Sequence, residues 1–292
     1  MTLTLPGPLV STSWLAEHLG EQSLVLLDGS YKLPGVTPTA RADYEQRHIR
    51  GARFFDIDQI ADTSSPLPHM LPDTQALEGL AGRLGLSNDS VVVVYDGAGL
   101  MSAGRVWWSL RTFGHDKVAI LDGGLRKWLA EQRPVTADIP AVVPATFRAR
   151  FNAAAVRSKA QVAGNLATAD EQLIDTRSAA RFAGEESEVR PGLRPGHIPH
   201  SLNLPFQEIS SPETGEVKPG SAIRKAFETA GLDLARPVVA TCGSGVTAGA
   251  LAFGLHLLGK TNVAIYDGSW SEWGLPGETP VETGPATGAP RS

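Results

Sequence analysis

The segment Thr241-Cys242-Gly243-Ser244-Gly245-Val246-Thr247-Ala248 contains the only cysteine of a 292-residue chain, with a glycine on each side of the neighbouring serine. A thiol attacks as its thiolate, and a free cysteine is only slightly ionised near neutral pH. A cysteine at the end of a strand, just before a helix, can meet several backbone N–H groups pointing inward. Gly243 and Gly245 let the backbone curl that closely, because glycine accepts dihedrals closed to other residues. Such a ring of amides beside a helix N-terminus is an anion cradle. It would hold a negatively charged persulfide. A lone cysteine is more often a small buried hydrophobe; the strand–loop–helix junction and the two glycines are what argue for reactivity here.

The elements that must position this loop are written twice. LVLLDGS (24–30), HIRGARFF (48–55), VVVVYDGAG (91–99) and VAILDGGLRKWL (118–129) return as QLIDTRS (172–178), HIPHSLNLPF (197–206), VVATCGSG (238–245) and VAIYDGSWSEWG (263–274). The pairs Asp28/Asp175, His48/His197, Asp96/Cys242, Asp122/Asp267 and Trp128/Trp273 are separated by 147, 149, 146, 145 and 145 residues. A drift of four residues over that span is loop-length variation between two copies of one fold. Within each copy short apolar runs, Val91–Tyr95 and Val238–Thr241, read as buried parallel strands. Residues 102–113 and 247–258 have helical length and a wide apolar face, and Gly114 and Gly259 stand where a left-handed C-cap is common. The fold class expected is α/β, with two tandem domains, each a parallel sheet flanked by helices. Ligands of such sheets bind beyond the carboxyl ends of strands, the place of Asp96 and Cys242. The boundaries read from texture are 8–133 for a copy with Asp96 at the cysteine position, 134–165 for a Pro- and Ala-rich linker, 166–280 for the copy with Cys242, and 281–292 for a flexible tail.

Composition excludes several classes. The net charge is −5 and no Lys/Arg cluster marks a basic patch, so nucleic acid is not an expected partner. One cysteine leaves no internal disulfide and no cysteine-based metal cage; no metal and no organic cofactor are expected. The apolar runs are too short to cross a bilayer, the first ten residues lack a secretory pattern, and the cytoplasm is the expected compartment. The tryptophans at 107, 108, 128, 270 and 273 read as core.

CGSGVTA at 242–248 resembles the active-site loop of the 3-mercaptopyruvate sulfurtransferases of the two-domain rhodanese family. FFDIDQIAD (54–62), SPLPHMLP (65–72), SAGRVWW (102–108), RPGLRPGHIP (190–199) and YDGSWSEWG (266–274) extend the resemblance from Trp14 to Trp273. It implies two rhodanese-like domains, the first inactive, and transfer of sulfur from 3-mercaptopyruvate through a Cys242 persulfide, with release of pyruvate, to thioredoxin, a small thiol or cyanide. It also implies a hydrogen-bonded set of Ser244 with His69 and Asp58 from the first domain, which would stabilise the leaving enolate. Arg181 and Arg190 take the positions of the family's carboxylate-binding arginines, a role suited to the planar guanidinium fork. Gly243, Gly245, Val246 and Thr247 would line the donor's place. The resemblance departs at residues 28–30, which read Asp-Gly-Ser, and at His200, where the family has a small residue.

Rival readings remain at this stage. Thiosulfate-using rhodaneses carry basic side chains directly after the cysteine, whereas Gly-Ser-Gly is uncharged, which argues for a carboxylate-bearing thiol donor over thiosulfate:cyanide transfer. A cysteine phosphatase needs an arginine closing the loop, and residues 246–250 contain none. A non-catalytic sulfur-relay module would require an unreactive Cys242.

Overall fold

Val91–Tyr95 and Val238–Thr241 are apolar without alternation, and every residue in both is buried. That is the signature of a parallel strand covered on two faces. In the computed structural model, which describes residues 3–286, each runs through the centre of a five-stranded sheet. The first sheet has the order Leu9–Val10, Val118–Leu121, Val91–Tyr95, Leu24–Asp28, Arg53–Phe54, with every neighbouring pair parallel. The second has the order Val156–Arg157, Val263–Tyr266, Val238–Thr241, Gln172–Asp175, Leu202–Asn203, again parallel throughout. Order and register both repeat. Leu27 pairs with Val94 in one sheet, and Ile174 with Ala240 in the other, at the offsets seen in the sequence.

Helices follow the central strands as expected. Ala103–Thr112 and Ala248–Leu257 follow the two runs, and Gly114 and Gly259 close them at φ +85° and +80°. The second helix is buried from Ala248 to Leu255, which explains why it is apolar on every face. Trp128 packs in the core of one unit; Trp270 and Trp273 pack in the other.

The chain divides into two compact units that do not follow chain order. One comprises the residues up to Asp62, Leu71–Asn152 and Ser210–Val217; the other comprises Thr63–Met70, Ala153–Ile209 and the residues from Lys218 on. The stretch 134–165 carries regular structure. The strand Val135–Thr136 pairs with His48–Ile49 in the first unit. In the second unit Val156–Arg157 is an edge strand, and the helix Lys159–Thr168 starts on a capping box between Ser158 and Gln161. Within 281–286, Glu282 exchanges two backbone hydrogen bonds with His197, at 2.8 and 3.0 Å. The rest of the expected tail, 287–292, lies outside the described residues.

Candidate active site

Cys242 directly follows the central strand Val238–Thr241 of the second unit, 2% exposed. The short helix Ser269–Trp273 holds its backbone. The Cys242 N–H donates to Ser269 Oγ at 3.3 Å, Trp270 N–H donates to the Cys242 carbonyl at 2.9 Å, and Ser271 N–H donates to the Gly243 carbonyl at 2.8 Å. Ser269 does this at φ +47°, a left-handed conformation uncommon outside glycine, while its hydroxyl donates to the Tyr266 carbonyl at 2.7 Å. The loop glycines have different reasons. Gly245 sits at φ +78°, whereas a Cβ on Gly243 would lie 3.2 Å from Arg181 Nη2. Val246 is buried, and the Thr247 hydroxyl shares a 2.7 Å hydrogen bond with that of Thr176, fixing the far end of the loop to the residue that follows the neighbouring strand Gln172–Asp175.

Ser244 and His69 meet within this unit. His69 Nδ1 is 3.0 Å from Ser244 Oγ and 3.2 Å from the Ser244 carbonyl oxygen, and both residues are buried. One imidazole tautomer accepts the serine O–H; the other donates to the oxygens. The resemblance implies that His69 comes from the first domain. It belongs instead to Thr63–Met70, which packs with the second unit. Asp58 is in the first unit, in the turn after Arg53–Phe54, where its N–H donates to Asp56 Oδ1 at 3.2 Å. There it lines a cavity of about 360 Å³ together with Lys32 and Arg41.

Arg181 lies on the helix Ala179–Ala183, capped by Ser178, with its guanidinium against Gly243. Its Nη2 pairs with Glu188 Oε2, and its buried Nε has no hydrogen-bond partner among the described residues. Glu188 also binds Arg177, which makes bonds to Asp175 of the adjacent strand. Burial works against the Arg177 charge, but Asp175 and then Glu188 outweigh it and hold its pKa above the ordinary value. Arg190 is half-buried in the loop between the Arg181 helix and the strand Leu202–Asn203. The structure thus gathers Cys242, its loop, Ser244, His69 and Arg181.

Residues 11–131 and 158–275 each match the Rhodanese-like domain. The chain belongs to the rhodanese-like family. It is 47% identical to human 3-mercaptopyruvate sulfurtransferase over 271 residues, covering 91% of each chain. It is 45% identical to rat thiosulfate sulfurtransferase over 285 residues, covering 94% of this chain and 95% of that one. Among solved structures, SseA from Escherichia coli, described with the rhodanese fold and mechanism of 3-mercaptopyruvate sulfotransferases, superposes with a TM-score of 0.82 at 39% identity, covering 91% of this chain and 99% of its own.

The first rhodanese-like copy shows what the loop binds when no cysteine is present. Asp96 Oδ1 accepts from the N–H groups of Ala98 and Gly99 at 2.8 and 2.6 Å, and Oδ2 from those of Ser102 and Ala103 at 2.7 and 2.8 Å. A carboxylate occupies the cradle of its own loop. At the repeat offset, the equivalent amides in the second copy are those of Ser244, Gly245, Ala248 and Gly249. The departure at His200 also has a backbone explanation. His200 sits at φ +62°, and its equivalent Gly51 at φ +82°, so a left-handed turn is kept although the glycine is not.

Glu188, Arg177 and Ser269 were not singled out from the sequence. For Ser269 a signal existed: its equivalent is Gly124, at φ +55°, in a repeat that is otherwise closely matched. Glu188 ends the acidic run Glu185-Glu186-Ser187-Glu188, and nothing in its spacing separates it from a solvated surface charge. Among the described residues no cluster of His, Cys, Asp and Glu could hold a metal ion, and no helix is long and apolar enough to cross a membrane.

Proposed function

We propose that this chain is a sulfurtransferase that takes sulfur from 3-mercaptopyruvate onto Cys242 and passes it to a thiol, such as that of thioredoxin, or to cyanide. Similarity alone does not choose the donor, since relatives named for mercaptopyruvate and for thiosulfate are 47% and 45% identical. The observation that carries the choice is the Ser244 hydroxyl, 3.0 Å from His69 Nδ1 in an uncharged loop that begins at Cys242. Thiosulfate leaves sulfite, an anion that needs no proton. Mercaptopyruvate leaves the enolate of pyruvate, which gains from a hydrogen-bond donor at the developing charge.

In this reading the Cys242 thiolate attacks the sulfur of the donor, forming an S–S bond as the carbon–sulfur bond breaks. The bonding electrons go to carbon as the enolate, which takes a proton and leaves as pyruvate. Arg181 and Arg190 hold the donor carboxylate, and Ser244 with His69 stabilises the departing group; Asp58 keeps the supporting role that the resemblance implies. The backbone groups of Gly243, Gly245, Val246 and Thr247 surround the persulfide. An acceptor thiolate then attacks the outer sulfur, and Cys242 leaves as thiolate. We take residues 166–280 as the catalytic domain and 8–133 as the inactive one, and we assign the protein to the cytoplasm, where a lone cysteine stays reduced.

The test compares pyruvate release from 3-mercaptopyruvate with thiocyanate formation from thiosulfate and cyanide, for the native protein and Cys242→Ser. A strong mercaptopyruvate preference that disappears in the variant is the expected result. Equal or better turnover of thiosulfate would overturn the donor assignment. Turnover of neither donor would leave a relay protein.

A further inference from the structure

Glu188 is a buried carboxylate, its side chain 2% exposed. Burying such a group is costly unless it is paired on both oxygens. Glu188 meets this condition with two arginines: Oε1 lies 2.6 Å from Arg177 Nη1, and Oε2 pairs with Arg181 Nη2. Arg177 is itself immobile. Its Nη2 donates to Asp175 Oδ2 at 2.7 Å and to the Gly196 carbonyl at 2.8 Å, its Nε donates to Asp175 Oδ2 at 3.0 Å, and its guanidinium lies 4.4 Å above the Trp270 ring. Glu188 is therefore fixed to a rigid post and passes that rigidity to Arg181.

Two consequences follow at the cysteine loop. One is geometric: Arg181 Nη2 is held against the Cα face of Gly243, one residue from Cys242, while Nε keeps a donor without a partner among the described residues. The other is electrostatic. Arg177 and Arg181 carry two formal positive charges, and Asp175 and Glu188 carry two negative ones, so the cluster is neutral as a unit. A neutral cluster with oriented donors recognises a single carboxylate by geometry. A compact dianion gains more than a monoanion from each uncancelled positive charge, and Glu188 cancels one of those beside the loop.

We propose that Glu188 is a positioning and specificity-determining residue: it orients Arg181 beside the Cys242 loop and cancels the charge that would otherwise favour dianionic sulfur donors. The inference rests on the donor reading above and concerns the same site.

The experiment measures kcat/KM for 3-mercaptopyruvate and for thiosulfate in the native protein, Glu188→Gln and Glu188→Asp. In Glu188→Gln the thiosulfate-to-mercaptopyruvate ratio should rise about tenfold, the order expected for one added unit charge acting on a second substrate charge through a partly solvated site. Most of the change should appear as a lower KM for thiosulfate, and it should shrink at high salt. Glu188→Asp, which keeps the charge, should return the ratio to within about twofold of native. A Glu188→Gln ratio equal to native, with both activities falling together, would overturn the proposal and reduce Glu188 to a structural residue. If Glu188→Gln does not fold, inhibition of the native protein decides. Pyruvate should compete with the donor about tenfold more tightly than sulfate, and tighter binding of sulfate would overturn the proposal. Absence of mercaptopyruvate turnover in the native protein is a different failure, that of the donor reading itself.

Discussion

The backbone N–H of Cys242 donates to the hydroxyl of Ser269, a buried residue held at φ +47° where the first copy has Gly124 at φ +55°. A non-glycine residue in the left-handed region costs about 1–2 kcal/mol, and such strain persists only where the surroundings hold it. Here the holding contacts are two: Cys242 N–H on one side and the Tyr266 carbonyl on the other.

Replacing Ser269 therefore separates strain from hydrogen bonding. Ser269→Ala keeps the strain and loses both bonds, and should destabilise by about 2–3 kcal/mol. Ser269→Gly relieves the strain and should recover roughly 1 kcal/mol of that loss. Both variants leave the Cys242 N–H without its acceptor and should slow persulfide formation by about tenfold, a modest positioning effect. Urea unfolding gives the stabilities, and single-turnover mass measurement of the Cys242 persulfide gives the rate. Equal stabilities for the two variants would show that φ +47° carries no strain.

Ser244 and His69 should behave as one unit. Ser244→Ala and His69→Gln should each lower turnover of 3-mercaptopyruvate by about a hundredfold, the lower range for assistance by a positioned proton donor. The double variant should be little worse than either single one, because removing one partner disables the other. Thiosulfate turnover, with its stable leaving group, should fall much less. Losses that multiply in the double variant would mean that the 3.0 Å contact is not used in the reaction.

Asp96 should matter for stability rather than for sulfur transfer. Its carboxylate accepts four backbone N–H bonds in the first copy. Asp96→Asn turns part of that acceptor into a donor facing donors, at a cost of about 2–4 kcal/mol. For a chain of this size the unfolding midpoint should drop by roughly 5–10 °C. Persulfide formation at Cys242 should continue in the folded variant. Calorimetry beside persulfide mass analysis checks both halves of the prediction.

Acid should unfold the protein partly through its buried histidines. His115 is 2% exposed, and burial, then the charge of Lys117, hold its pKa below the usual 6.5; burial likewise lowers His197. The unfolded chain accepts a proton near pH 6.5 that the folded chain refuses. The stability from these two groups is therefore complete above that pH and is lost as the pH falls through their folded values. The thermal midpoint should stay level from pH 8 to about 7 and decline toward pH 5. His115→Gln should make that decline shallower; a slope equal to the native one would assign the acid sensitivity to other groups.

Much of this was legible in the sequence because it is local or repeated. Two copies of one parallel sheet could be read from offsets that drift by four residues, since a buried strand declares itself by an unbroken apolar run and a helix end by its glycine. The Cys242 loop was equally legible: its glycines are demanded by the local backbone and by close packing. Which distant groups meet there is not written in local spacing: the resemblance implied that Ser244 meets His69, and tertiary structure brings them to 3.0 Å. His69 precedes Ser244 by 175 residues, in a segment whose packing assigns it to the second unit against its chain order. Glu188 looks like one more charge in an acidic run, and only burial between Arg177 and Arg181 gives it a task. Periodicity and turn chemistry act over a few residues and are written in the local sequence. The pairing of a buried charge depends on what lies opposite it in space, and no spacing along the chain records that.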